Sequence, residues 1–260
     1  MDALTNFAVL FVLAALRYLP VVVLPGLSPL VWAPTFVRVV VMLAFAWLTV
    51  LSLPDAGLAS TSASALAWPM GLMLAAAGEL LLGSVFGLAF MLPNAAIHSA
   101  GWLVDMQAGL GAATLFNPTN ANAAESLLGH ALMLVATVLF FALDLHLALF
   151  KGISASLRVL PLGSVGLQVD STGVLAMLGR SFSLGLLLVA PIVLGLFCVD
   201  LGVGYASRSM PQANVYFLAL PLKVAVAMGL MVLTLAHMPM LMGRLFHGAL
   251  QQVPASLGAP

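Results

Sequence analysis

Residues 181–238 read SFSLGLLLVAPIVLGLFCVDLGVGYASRSMPQANVYFLALPLKVAVAMGLMVLTLAHM, and this stretch decides the fold. Two apolar runs, 181–206 and 213–238, flank a polar hexapeptide at 207–212. Each run exceeds the ~20 apolar residues that a helix needs to cross a ~30 Å hydrocarbon core. So short a connection makes the two helices turn back on each other as a hairpin. Within the runs stand two charges, Asp200 and Lys223, on either side of the turn. At about 1.5 Å rise per residue their depths agree to within about one helical turn. The sequence therefore predicts a cross-hairpin ion pair that hides both charges from lipid.

Upstream lie four more apolar segments, 4–24, 36–53, 67–92 and 127–149, which brings the number of candidate helices to six. Pro/Ser/Gly turns at 25–35 and 54–66 separate the first three, while 150–180, with Lys151, Arg158 and Arg180, reads as a solvated linker with a short helix. Pro20, Pro191 and Pro221 fall inside apolar segments, where each removes a backbone hydrogen bond and bends the helix. Gly83 and Gly87 form a GxxxG. It allows close helix packing, or reflects no more than the abundance of glycine in membrane helices. No repeat of fixed period is visible.

Of the 260 residues 63% are hydrophobic and 6% are charged, against roughly a quarter charged in a soluble domain. Eight cationic and eight acidic side chains cannot cover a soluble surface of this size, so the surface must face lipid or other apolar protein. Net charge is zero and no basic run exists, which excludes nucleic acid as a main partner. Cys198 is the single cysteine, so no intrachain disulfide forms. Because no cationic residue precedes the first apolar run, the first segment is expected to remain in the mature protein.

Catalytic chemistry is hard to find. The five histidines, His98, His130, His146, His237 and His247, are scattered. Asp144 and His146 stand two apart, on roughly opposite faces of a helix. No HExxH, cysteine cluster or GxSxG occurs, and the GxG of Gly109 and Gly111 lacks the strand and cation of a phosphate loop. The expectation is a non-enzyme with no cofactor and no metal. Glu79, near the centre of the third segment, is the sharper signal, since an isolated charge there costs roughly 2.5–3.5 kcal/mol. It is either an ion-pathway carboxylate or a contact in a protein interior. Without an Asp/Glu/His relay beside it, the packing reading is preferred.

The stretch 93–126, PNAAIHSAGWLVDMQAGLGAATLFNPTNANAAES, stands apart: it has no Lys or Arg and is rich in Gly and Ala. It is too polar for a lipid-facing helix and too apolar for an ordinary exposed loop. An apolar Gly-rich loop can sit at membrane depth only where it fills or lines a protein cavity.

The 191–230 region resembles the FliR family of type III export-gate proteins. The matching positions are Pro191, Asp200, Leu201, Gly204, Arg208, Pro211, Gln212, Asn214, Pro221, Leu222 and Lys223. The central stretch is similar to that family's signature through Gly101, Asp105, Gln107, Gly109, Phe116 and Pro118, the first loop through Pro25, Pro34 and Arg38, and the third helix through Glu79, Gly83 and Gly87. Ala213, Tyr216 and Asn117 depart mildly from its pattern.

What the resemblance implies is an all-α membrane protein of about six long, kinked apolar helices arranged as hairpins, with a re-entrant Gly-rich plug loop. Residues 1–180 would be FliP-like and hold the central plug loop, 181–240 would be a FliQ-like hairpin, and 241–260 a short tail. The plug would comprise Met106, Gln107, Gly109, Leu110, Gly111, Leu115, Phe116, Asn117 and Pro118. Its large apolar side chains would seal by excluding water, and its glycines would let it fold aside. Glu79, Gly83, Gly87, Asp200, Arg208, Pro211, Gln212, Asn214 and Lys223 would serve assembly. The implied function is a passive pore subunit of the flagellar export gate, in the bacterial inner membrane at the flagellar basal body. It would assemble with FliP-like and FliQ-like subunits beside FlhB-like and FlhA-like proteins and pass unfolded exported chains. The equivalent subunit of a virulence injectisome and a small secondary transporter, with Glu79 and Arg17 as substrate or proton residues, are the alternatives.

Overall fold

The computed structural model describes residues 2–24, 33–52, 69–110, 127–163, 170–209 and 215–256. Within them eight helices follow in order: α1 (Asp2–Val22), α2 (Thr35–Ser52), α3 (Pro69–Ala108), α4 (Leu127–Ala142), α5 (Leu145–Val159), α6 (Ser171–Ser209), α7 (Val215–Leu235) and α8 (Met238–Ser256). No strand occurs among the described residues. Five of the helices are long and apolar enough to cross a membrane, or six spans if α4 and α5, bent by 59° at their junction, count as one. The all-α membrane architecture follows directly from that composition. Hydroxyls that would otherwise lack a partner in lipid are satisfied within their own helix: Ser84, Ser99, Thr137 and Ser183 each donate to the carbonyl four residues back.

Four boundaries differ from the sequence reading. The third helix does not stop at residue 92 but runs on to Ala108, so the first part of the expected re-entrant stretch is helical. Pro93 lies inside this helix and costs it one backbone bond without ending it. The fourth apolar segment breaks at Leu143–Asp144, where Asp144 takes φ 55°, a left-handed conformation that Asp tolerates better than most residues. The stretch read as a linker is mostly helical: Lys151 lies on α5, and Arg180 lies inside α6, which starts at Ser171. Likewise 241–256 is not a trailing tail but most of α8, whose buried side has Met242, Leu245, Phe246, Ala249 and Val253.

The chain forms two compact units. The first comprises Met1–Leu92, Leu145–Leu178 and Phe246–Pro260. Here α1 and α2 pack through Leu10, Leu13, Ala14, Ala46 and Val50, joined by Ala75 of α3 and Leu157 of α5. Tyr18, Phe45 and Phe150 make a stack, with Phe45 and Phe150 centroids 4.2 Å apart. The second unit comprises Pro93–Asp144 and Gly179–Leu245. In it the end of α3 packs on α6, where a side chain on Gly185 would press on Ala96 at 3.0 Å, and Gln107 Nε2 donates to the Val193 carbonyl at 3.3 Å. Positions rise together along both helices, so the two run in the same direction. In contrast α6 and α7 are antiparallel: Asp200 meets Lys223, and Gly195 lies against Leu230.

Candidate functional site

The deepest polar cluster lies in the first unit. Arg17 on α1 is 0% exposed and Glu79 on α3 is 1% exposed. The guanidinium meets the carboxylate as a two-pronged fork, Nε to Oε2 at 2.5 Å and Nη2 to Oε1 at 3.1 Å. Nη1 also donates to Ser156 Oγ (3.2 Å) and Nη2 to the Leu160 carbonyl (3.0 Å), while the Gly163 N–H donates to Glu79 Oε1 (2.9 Å). Five hydrogen bonds among α1, α3, α5 and the turn after α5 thus satisfy two buried charges, the condition under which burial of an ion pair is tolerable. On the next residue of α1, the Tyr18 hydroxyl pairs with Thr49 Oγ1 of α2 at 2.9 Å.

Gly83 explains how α1 comes so close to α3. A side-chain carbon there would collide with the Arg17 carbonyl oxygen and lie 2.9 Å from Pro20 Cδ. The GxxxG therefore does pack helices, with α1 of the same chain as its neighbour at Gly83; Gly87 is buried too.

In the second unit the last turn of α3 meets the first turn of α4. Asp105, 4% exposed, accepts the N–H groups of Leu128 (3.0 Å) and Gly129 (3.1 Å) on its two carboxylate oxygens. These are orphan donors of a helix N-terminus, where the macrodipole also favours an anion. One turn earlier a carbon on Gly101 would lie 2.5 Å from Gly129 Cα, so glycine on both helices lets the backbones touch. Gly109 closes α3 with φ 83°, its N–H bonding to Met106 O (3.2 Å) while the Leu110 N–H bonds to Asp105 O (3.1 Å). That double bond pattern is a Schellman cap, which needs the left-handed residue that glycine supplies.

In the hairpin, Lys223 Nζ pairs with Asp200 Oδ1, as the depth argument expects. The burial is lopsided, with Lys223 side chain 6% exposed and Asp200 39% exposed.

Of the residues expected in the plug, Met106 and Gln107 are on the last turn of α3, with Met106 half exposed, and Gly109 and Leu110 form its cap. Gly111, Leu115, Phe116, Asn117 and Pro118 lie outside the described residues. So do Pro211, Gln212 and Asn214 of the hairpin turn; Arg208 is exposed near the end of α6. Ser156 was not anticipated from the sequence, Arg17 only as a transporter residue and Asp105 only as a matching family position. Opposite charges at Arg17 and Glu79 in two apolar helices were the available signal. Among the described residues no cluster of three or more His, Cys, Asp or Glu could hold a metal.

Residues 8–249 match the bacterial export proteins, family 1. The flagellar biosynthetic protein FliR of Bacillus subtilis (strain 168) is 30% identical over 159 residues, which covers 60% of this chain and 61% of that protein. FliR of Pectobacterium carotovorum subsp. carotovorum is 30% identical over 169 residues, 65% of this chain and 64% of the relative. The Yop proteins translocation protein T of Yersinia pestis is 30% identical over 165 residues, 62% and 63% respectively. The chain thus spans somewhat less than two thirds of these relatives' length in each alignment. The family match itself runs from α1 into α8 and takes in the positions of Arg17, Glu79, Asp105, Asp200 and Lys223, so the chain belongs to the FliR family of bacterial export proteins.

Proposed function

We propose that this protein is a non-enzymatic pore subunit of the flagellar type III export gate, assembled with FliP-like and FliQ-like subunits in the bacterial inner membrane at the flagellar basal body. The observation that carries the reading is the uncovered apolar surface of the very long α6 and of α7 beside it. The 39-residue α6 is about 58 Å long, nearly twice a ~30 Å hydrocarbon core. In its most apolar window and in that of α7 only 28% of residues are buried, against 61% in α3. Leu186, Leu187, Leu194, Phe197 and Leu201 of α6, with Leu218, Val232 and Leu233 of α7, stand exposed. A helix that outruns the bilayer yet stays apolar needs protein along the remainder of its length. Neighbouring helices of a hetero-oligomer supply that.

Residues 106–118 act in this reading as the plug, with Leu110, Leu115 and Phe116 denying ions a continuous wet path. FlhB-like protein wraps the cytoplasmic mouth, FlhA-like protein is a further partner, and unfolded exported chains pass through. The test is conductance of the co-assembled particle in a lipid bilayer. Wild type stays closed, whereas Leu115→Ser with Phe116→Ser conducts while the particle still assembles. An intact particle that stays closed would reject the plug for these residues. The equal identity to Yop proteins translocation protein T supports the second reading, an equivalent subunit of a virulence secretion apparatus. The Arg17–Glu79 pair, fully enclosed and satisfied, speaks against the transporter reading, in which both residues must meet a passing ion.

A further inference from the structure

One residue bonds to both flanks of the segment 111–126. The main-chain carbonyl of Asp105 takes the N–H of Leu110, the last described residue before that segment, and its carboxylate takes the N–H groups of Leu128 and Gly129 just after it. A helix usually draws its cap from the residue directly before it, as α6 does from Asp170. The sequence offers α4 a serine there, Ser126, yet the amides of its second and third residues go to a carboxylate 23 and 24 positions away. The Gly101–Gly129 approach independently holds the same two helices in backbone contact one turn from Asp105. A local cap would serve α4 alone; this one also closes a loop, which costs chain entropy that a local cap avoids.

We infer that Asp105 is a clasp: a positioning residue that fixes where the chain leaves α3 and where it re-enters as α4. Its carboxylate thereby ties the start of α4 to the last turn of α3. The consequence for sealing rests on the reading of 106–118 as the plug. In that reading Asp105 joins the two helix ends between which the seal is carried.

The test uses the full chain in its co-assembled particle, with two readouts: hydrogen exchange of the Leu128 and Gly129 amides, and ion leak through the particle in lipid vesicles. Asp105→Ala should speed exchange at both amides at least about fivefold, the factor that loss of a helix cap corresponds to, and should open a leak. Asp105→Asn keeps one acceptor oxygen and should fall between the two in both readouts. Unchanged exchange in Asp105→Ala would overturn the clasp. Faster exchange without a leak, where Leu115→Ser with Phe116→Ser does leak, would overturn its role in sealing. Should that double variant also stay closed, the plug reading fails and exchange alone decides the clasp. If Asp105→Ala does not assemble, Asp105→Asn decides, and wild-type exchange at both amides would reject the proposal.

Discussion

Glu79→Ala is the most exacting single perturbation of this fold. It leaves the Arg17 guanidinium, 0% exposed, without its counter-charge and removes the acceptor of the Gly163 N–H. Breaking a buried ion pair from one side costs about 3–5 kcal/mol, because the survivor is a stranded charge. The orphaned Gly163 N–H adds about 1 kcal/mol or more. Against a total stability of roughly 5–15 kcal/mol for a folded domain, that loss is a large share and should lower the unfolding temperature strongly. Replacing both partners, Arg17→Met with Glu79→Met, removes the stranded charge and should recover most of the loss. The remainder, about 1–3 kcal/mol, reflects the Leu160 carbonyl and Gly163 N–H that Arg17 and Glu79 now satisfy. The assay is thermal unfolding of the detergent-purified assembly for wild type, both single variants and the double. A double variant as unstable as the sum of the singles would refute the account, as would a Glu79→Ala protein of wild-type stability.

Gly83→Val should destabilise by about 1–3 kcal/mol, since the new side chain meets the Arg17 carbonyl and the Pro20 ring and α1 must move away; thermal unfolding measures it. Asp200→Ala should impair assembly more than Lys223→Ala, because the first strands the more deeply buried of the two charges; particle yield on size exclusion compares them. The exchange Asp200→Lys with Lys223→Asp should recover part of the loss. Asp170 sits outside the membrane segments, and its hydrogen bonds from the Thr172 hydroxyl and N–H hold its carboxyl below the ordinary carboxylate value. Its ionised form is therefore favoured in the folded state, so the start of α6 is secured at neutral pH and loosens as pH falls through the lowered value. Exchange of the Thr172 amide across an acid titration should show it.

The sequence made the apolar elements legible because lipid imposes length and composition together. The α6–α7 hairpin and its Asp200–Lys223 pair could be placed from spacing alone. Helix ends were less legible. Pro93 and the polar residues after it read as the start of a loop, yet α3 continues to Ala108, with Ala96, Ala100 and Val104 buried. The break at Asp144 carries no glycine or proline to announce it. Glu79 stood out as a buried charge, but its partner lay 62 residues away on the first helix, and nothing local links the two. Asp105 was legible only as part of a motif. Its work, capping a helix 23 residues later, depends on how α3 and α4 meet through Gly101 and Gly129.

The central claim is that the chain completes its packing with other subunits. Its direct measurement is the mass of the particle recovered in mild detergent, with this chain expressed alone and together with FliP-like and FliQ-like proteins. The account predicts an unstable or aggregated product alone, since the α6–α7 faces lack cover, and a stable particle containing all three proteins on co-expression. A folded, monodisperse monomer from the chain alone, unchanged in mass when the other two are present, would contradict it.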